Sequence, residues 1–189
     1  MPFFDSVLFA VLNRDAANPM FDAIFPFLTS LHQRPWFMAG LGLLAMAALI
    51  RGDRRSRIWV ITALVAVGAS DLVCSKVIKR AFARERPCQS IAKGITQPTG
   101  FVVRVVNPDR CPGSQSFPSN HAANMAAVGS VCWWFTRKRA RWSWWLLPLV
   151  IGYTRVYLGY HYPSDVLAGW GVGGCVAAPA LAWARARLR

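Results

Sequence analysis

Acidic residues are scarce in this sequence: against 22 Lys and Arg the 189 residues contain only 8 Asp and Glu, a formal net charge of +14. Sites for Mg²⁺ or Ca²⁺ are built from several oxygen ligands, and no group of carboxylates here could supply them. The chemistry is therefore expected to need no metal and no other cofactor. Cysteine is also sparse, and the five residues lack the paired spacing of a zinc site. No internal repeat or low-complexity tract is present, so the chain reads as a single domain, 1–189. The positive charge is not organised for nucleic acid either. Its arginine clusters border apolar runs and carry no groove-reading or base-stacking motif, so no nucleic-acid partner is expected. The opening MPFFDSVLFAVLN has no basic leader and no small-residue cleavage site, which argues against a cleaved signal peptide.

What the chain has in excess is apolar surface: 54% of residues are hydrophobic and nine are Trp. Runs near 36–50, 58–80, 120–135, 143–159 and 163–184 each read as a membrane-spanning helix, with flanking residues making up the roughly 20 positions that a bilayer requires. NPMFDAIFPFLTSLHQ, interrupted by Asp22 and Pro26, adds a sixth. The expected fold is an all-α, integral membrane six-helix bundle. The basic clusters RGDRRSR (51–57), RKRAR (137–141) and RARLR (185–189) fall on alternate turns of that path, hence on one side. The positive-inside rule makes that side, and with it both termini, cytoplasmic. Seven of the tryptophans gather at the same boundary, as an interfacial belt would. Residues 1–13, apolar at spacings of three and four, form either an interfacial amphipathic helix or an outward extension of the first span.

On this topology the long connection 83–117 lies on the outer face. Cys88 and Cys111 bracket it, and in an oxidising compartment a disulfide between them would close it. Cys74, Cys132 and Cys175 fall inside spans and read as small packing residues.

Three polar groups open onto that outer face. In KRAFARERPC, Lys79 and Arg86 are seven residues apart. On a continuous helix that is two turns, about 10 Å along one face, so both cations could meet one anion. In SFPSNHAANM, Pro118 and Ser119 suit a helix start, whose unpaired N–H groups attract anions, and His121 follows in the first turn. In TRVYLGYHYPSD, Arg155 must face the bundle interior to be tolerated near a span end. Asp165, in the first turn of the last helix, could accept the Nδ1–H of His161 and leave Nε2 as a nucleophile. Each group has an ordinary structural explanation alone. Together they supply what phosphoryl transfer through a phosphohistidine needs: cations and N–H groups for the spreading charge, one imidazole to attack and one to protonate the departing oxygen.

With these three segments the chain resembles the type-2 phosphatidic acid phosphatase family, whose fold is shared with vanadium haloperoxidases and bacterial acid phosphatases. The family pattern reads here as Lys79…Arg86-Pro87, Pro118-Ser119-Asn120-His121 and Thr154-Arg155…His161…Asp165, over roughly residues 18–185. The resemblance implies His161 as nucleophile, Asp165 as its orienting partner and His121 as general acid. It also implies that Lys79, Arg86, Ser119, Asn120 and Arg155 bind phosphate. Asn120 stands where the family has Gly; Asn tolerates positive φ well, and its side chain would narrow the pocket or add a donor. Thr154 stands for Ser and keeps the hydroxyl.

The resemblance further implies a phosphorylated membrane lipid as substrate, met at the periplasmic face of a bacterial inner membrane. Undecaprenyl diphosphate is the first expectation; phosphatidylglycerophosphate, phosphatidic acid and lipid A are the alternatives. A lipid-to-lipid phosphotransferase would use the same residues. A non-enzymatic transporter would instead need Asp22, Asp71, Lys76 and Arg155 along a path through the bilayer. Lys93, Arg104 and Arg110 could recognise a second phosphate or rest against headgroups. Asp71, with Ser75 one turn on, either supports Lys79 or packs between helices.

Overall fold

The computed structural model describes residues 3–92, 103–137 and 139–189, which leaves the expectation about Lys93 outside the described residues. Among them the regular structure is entirely helical: α1 (Phe3–Ala10), α2 (Pro19–Thr29), α3 (Pro35–Arg51), α4 (Arg54–Leu72), α5 (Lys79–Phe82), α6 (Pro87–Ala92), α7 (Asn120–Phe135), α8 (Leu146–Tyr157) and α9 (Pro163–Leu188). A π-helical stretch, Val73–Ile78, joins α4 to α5 without a break.

Local chemistry sets the boundaries. Asn18 caps α2 by accepting from the Met20 N–H at 2.8 Å, and Asp53 caps α4 by accepting from the Ser56 N–H at 2.8 Å. Pro19, Pro35 and Pro163 open their helices at positions where a missing N–H costs nothing. At the end of α5, Ala83 adopts φ 44°, a left-handed conformation that stops the helix.

Two helical runs, α4 through α5 and α9, are long and apolar enough to cross a membrane; α3, α7 and α8 are shorter and pack beside them. The pair α7 and α9 forms the centre of the bundle. Ala122, Ala123, Ala126 and Ala127 are buried against the Gly and Ala face of α9, and a Cβ at Gly173 would sit 2.1 Å from the Ala123 carbonyl oxygen. Small residues let two backbones approach this closely, which is how helices associate where lipid tails remove the hydrophobic driving force. Leu43, Leu44, Leu64, Val65, Leu146 and Leu167 point outward, each more than half exposed, as side chains meant for lipid would.

The sixth expected span is a short helix in the structure. With 11 residues, α2 is roughly 16 Å long, too short to cross a bilayer. Asp22 and Pro26 lie within it, and its flanks are tied to one end of the bundle. The Tyr157 hydroxyl bonds to Asn18 there, and the His32 ring lies 4.8 Å from that of His121. The six-span count is thus not reproduced, and α1 and α2 pack at one end of the bundle. The placement of both termini on one side changes with it. Asp5 in α1 binds Ser164 at the start of α9, whereas the C-terminus is at the far end of that helix, roughly 39 Å away for 26 residues. One face of α1 packs on the bundle, with Phe9 fully buried against Val103, Ala122, Val156, Tyr162 and Val166, while Phe4, Val7 and Val11 stay exposed.

Candidate active site

The end of the bundle that holds α1 and α2 contains a cavity of ≈ 790 Å³, lined among others by Lys79, Arg86, Asn120, His121, Arg155 and His161. All three sequence segments therefore converge. The path by which Lys79 and Arg86 meet differs from the expectation of one continuous helix. The chain turns out of α5 at Ala83, and Arg86 sits in the loop ahead of α6. Pro87 is the second reason, because a proline disfavours the helical conformation of the residue before it.

Arg86 is held on every side. Its Nε donates to the Ser114 carbonyl at 2.7 Å, Nη2 to the Ser114 hydroxyl at 3.0 Å and the Gln115 carbonyl at 3.1 Å, and Nη1 to the Tyr160 carbonyl at 3.0 Å. The loop providing these acceptors is itself fastened. Gln89 donates to the Pro112 carbonyl at 2.8 Å, and Cys88 is joined to Cys111 with Cα atoms 6.0 Å apart.

The same Nη1 approaches Nε2 of His161 at 2.7 Å. A guanidinium can only donate, so Nε2 is the unprotonated nitrogen and carries the lone pair a nucleophile needs. Burial holds the His161 imidazole well below its ordinary protonation range of 6.5, reinforced by Arg86, Arg155 and Lys79 nearby. The ring is neutral at physiological pH.

Behind His161, Asp165 is fully buried. Its Oδ2 lies 3.5 Å from Nδ1 of His161, longer than a good hydrogen bond. The Ser116 hydroxyl stands between them, donating to Oδ2 of Asp165 and lying 3.4 Å from Nδ1. The expected direct Asp165–His161 bond is thus an electrostatic contact shared with Ser116. Asp165 also accepts the Tyr162 N–H at 2.8 Å, completing one half of the α9 cap.

Arg155 is buried on the inner wall, its Nη1 donating to the Thr29 hydroxyl at 2.8 Å and its guanidinium 4.9 Å from the Tyr160 ring centre. Its Nε is buried with no partner among the described residues. Its neighbours are a hydroxyl and an aromatic ring, not a carboxylate, so its charge is suited to an anion in the cavity.

Two expected phosphate contacts have other partners. Ser119 is fully buried off the cavity wall; its Oγ accepts the Ala122 N–H at 3.5 Å, and its own N–H donates to the Asp165 carbonyl at 3.0 Å. Asn120 does line the cavity, yet its backbone is helical and Ala83 is the one non-glycine with positive φ among the described residues. Its Nδ2 donates to Asp71 at 2.8 Å and Ser75 at 2.7 Å. Asn120 thus ties α7 to α4 through Asp71, which is exposed on the cavity wall. Of the other cations, Arg110 reaches the cavity, whereas Arg104 pairs with Asp22 and stays off the wall.

Sequence reasoning missed Ser116, Thr29 and His32. Ser116 opens the quoted SFPSNHAANM but lies outside its Pro118–His121 core, and Thr29 and His32 come from a segment expected to cross the membrane. Only the return of α2 to this end of the bundle brings them to Arg155 and His121.

Residues 59–189 match the PAP2 superfamily, more than half of the chain. The chain belongs to that superfamily. Among curated relatives, the lipid A 4'-phosphatase of Bacteroides thetaiotaomicron is 31% identical over 61% of this chain, and the undecaprenyl-diphosphatase BcrC of Bacillus subtilis is 26% identical over 79%. These alignments span 49% and 68% of the relatives' own lengths. The crystal structure of Aquifex aeolicus LpxE superposes on the PAP2 chain with a TM-score of 0.66 at 20% identity, covering 95% of each. At that identity the likeness concerns the fold. Asp5, Thr29 and His32 all precede the residues that match the superfamily.

Proposed function

We propose that the protein is a membrane lipid phosphatase working through a phosphohistidine. The observation that carries this reading is the unprotonated Nε2 of His161, buried beside Arg86 in a cavity whose wall also holds Lys79, Arg155 and His121. Nε2 attacks phosphorus and forms the P–N bond as the P–O bond to the lipid breaks. His121 gives a proton to the departing oxygen. Water then attacks phosphorus, His121 takes up its proton, the P–N bond breaks and inorganic phosphate leaves. Lys79, Arg86 and Arg155 neutralise the charge that spreads over the equatorial oxygens.

As substrate we favour undecaprenyl diphosphate. The long alignment with a relative named for that activity supports this, as does Arg110, a further cation on a cavity larger than one phosphate requires. The transporter alternative loses support, because Asp22 is paired with Arg104 and Tyr157 off the cavity wall and Lys76 is exposed. Positive-inside reasoning makes the end carrying the basic clusters cytoplasmic and opens the cavity to the periplasm of a bacterial inner membrane, with α1 on that outer side.

Purified protein is expected to release phosphate in EDTA, fastest from undecaprenyl diphosphate when phosphatidylglycerophosphate, phosphatidic acid and lipid A are compared. His161→Ala should lower the rate by about 10⁴-fold or more, the scale on which loss of a nucleophile acts. Activity that requires metal, or that survives in His161→Ala, would end the mechanism. A different fastest lipid would replace only the substrate.

A further inference from the structure

Arg84 and Asp5 fall outside the chemistry described above, yet they form the most tightly bonded charged cluster at this end of the molecule. Arg84 reaches two buried carboxylates at once: Nη1 donates to Oδ1 of Asp165 at 2.6 Å, and Nη2 to Oδ2 of Asp5 at 2.6 Å. Ser164 closes the ring. It accepts from Nη1 of Arg84 at 2.7 Å, and it donates its hydroxyl and its N–H to Asp5 at 2.6 and 2.9 Å. The guanidinium lies 4.2 Å from the Tyr162 ring centre, and the Phe9 ring lies 5.5 Å from that of Tyr162.

We infer that Asp5, carried by α1, is a positioning residue for catalysis: through Arg84 it sets the place and the effective charge of Asp165, and so the basicity of His161. This rests on the reading of His161 as nucleophile. The physical reason is the division of one cation between two carboxylates. A guanidinium fork can bind a single carboxylate with two parallel bonds and draw strongly on its charge. Asp5 occupies one arm, so Asp165 receives only the other. Asp165 therefore keeps more negative charge for Nδ1 of His161, which lies 3.5 Å from Oδ2 with the Ser116 hydroxyl beside it. On its opposite face the same imidazole meets Arg86, with Arg155 and Lys79 near. Three cations on one side make the carboxylate on the other decisive for how strongly Nε2 attacks. Asp5 is itself 1% exposed, and Arg84 and Ser164 both bind it.

The test uses the full chain, purified, with phosphate release measured on whichever lipid the wild type hydrolyses fastest. Asp5→Asn keeps the shape and removes the charge, letting Arg84 turn fully to Asp165. The expected result is a kcat lowered roughly ten-fold, the scale of outer-layer partners, with KM unchanged because Lys79, Arg86 and Arg155 are untouched. Asp5→Glu should recover part of the loss. In an Asp165→Asn background, Asp5→Asn should cost nothing further, since its effect runs through the Asp165 charge. Should Asp5→Asn fail to fold, Ser164→Ala removes only the hydroxyl of the ring and is expected to lower kcat less, again with no effect in the Asp165→Asn background. An unchanged kcat with a lower thermal midpoint, a rise confined to KM, or an equal loss with and without Asp165 would each overturn the inference. A fully active His161→Ala would overturn the underlying reading as well, and that control separates the two failures.

Discussion

The two ends of the bundle carry charge of the same sign and treat it in opposite ways. At the far end, Arg51, Arg54, Arg57, Arg139, Arg141, Arg185, Arg187 and Arg189 are exposed, two of them resting on tryptophans: Arg141 on Trp133 and Trp142, and Arg187 on Trp183. At the cavity end, Lys79, Arg86 and Arg155 are buried, and the bonds of the two arginines go to carbonyls, hydroxyls and an imidazole. Exposed cations are hydrated, screened and free to meet any anionic headgroup. Buried ones must be paid for by surrounding structure, and they hold their geometry because packing and hydrogen bonds leave them no alternative. The first arrangement can orient a protein in a membrane, and the second can bind one phosphate in one pose.

The sharpest way to break this comparison is to remove one cation from each end. Arg155→Ala is expected to lower kcat/KM by about 10²- to 10³-fold, as loss of a transition-state donor does. Arg185→Gln, at an exposed position on α9, should leave both activity and stability within about 0.5 kcal/mol of wild type. Equal effects on phosphate release at the two positions would dissolve the distinction.

A smaller effect is expected from the covalent tie over the cavity. The bridge between Cys88 and Cys111 spans 23 positions of the loop that supplies the acceptors of Arg86. Reduction, or Cys88→Ser with Cys111→Ser, should cost about 2–4 kcal/mol of stability and weaken kcat/KM, while the far end of the bundle is unaffected. Thermal melts with and without reductant, read beside the activity, measure both.

The smallest effect concerns pH. The folded protein holds His161 neutral well below 6.5, whereas the unfolded chain takes up that proton near 6.5. Below that pH the unfolded state binds a proton that the folded state does not, so the stability associated with a neutral His161 is complete above 6.5 and declines as pH falls. Thermal midpoints of wild type and His161→Asn, compared between pH 7.5 and 5, should converge as the solution becomes acidic. Parallel curves would mean that His161 titrates alike in both states.

Much of the site was legible because its residues are chemically unusual where they stand. Arg155 near the end of an apolar run, His121 just after a helix cap, and Asp165 in a first turn all announce themselves along the chain. The fold was legible through the same contrast of apolar runs and basic ends. The misreadings came from segments where local pattern and tertiary contact disagree. PMFDAIFPFLT is as apolar as a short span, but it is held at one end of the bundle by Asn18, Asp22 and Thr29. KRAFARERP keeps helical spacing from Lys79 to Arg86, yet the helix stops at Ala83. Ser119 and Asn120, expected from their motif to contact phosphate, also cap α7 and tie it to α4, a part of their role that only the folded contacts show.

Composition and spacing alone determined that the chain is helical and built for lipid, and which of its cations and imidazoles are the unusual ones. These follow from the cost of putting polar groups in an apolar medium, a cost that acts residue by residue and so leaves a mark in the order of residues. Only the tertiary structure decided which end holds α1 and α2, that Ser116 stands between His161 and Asp165, and that Asp5 shares Arg84 with Asp165. Those depend on contacts between positions as far apart as Asp5 and Ser164, and a hydrogen bond over such a separation leaves no periodicity, spacing or composition for a linear reading to find.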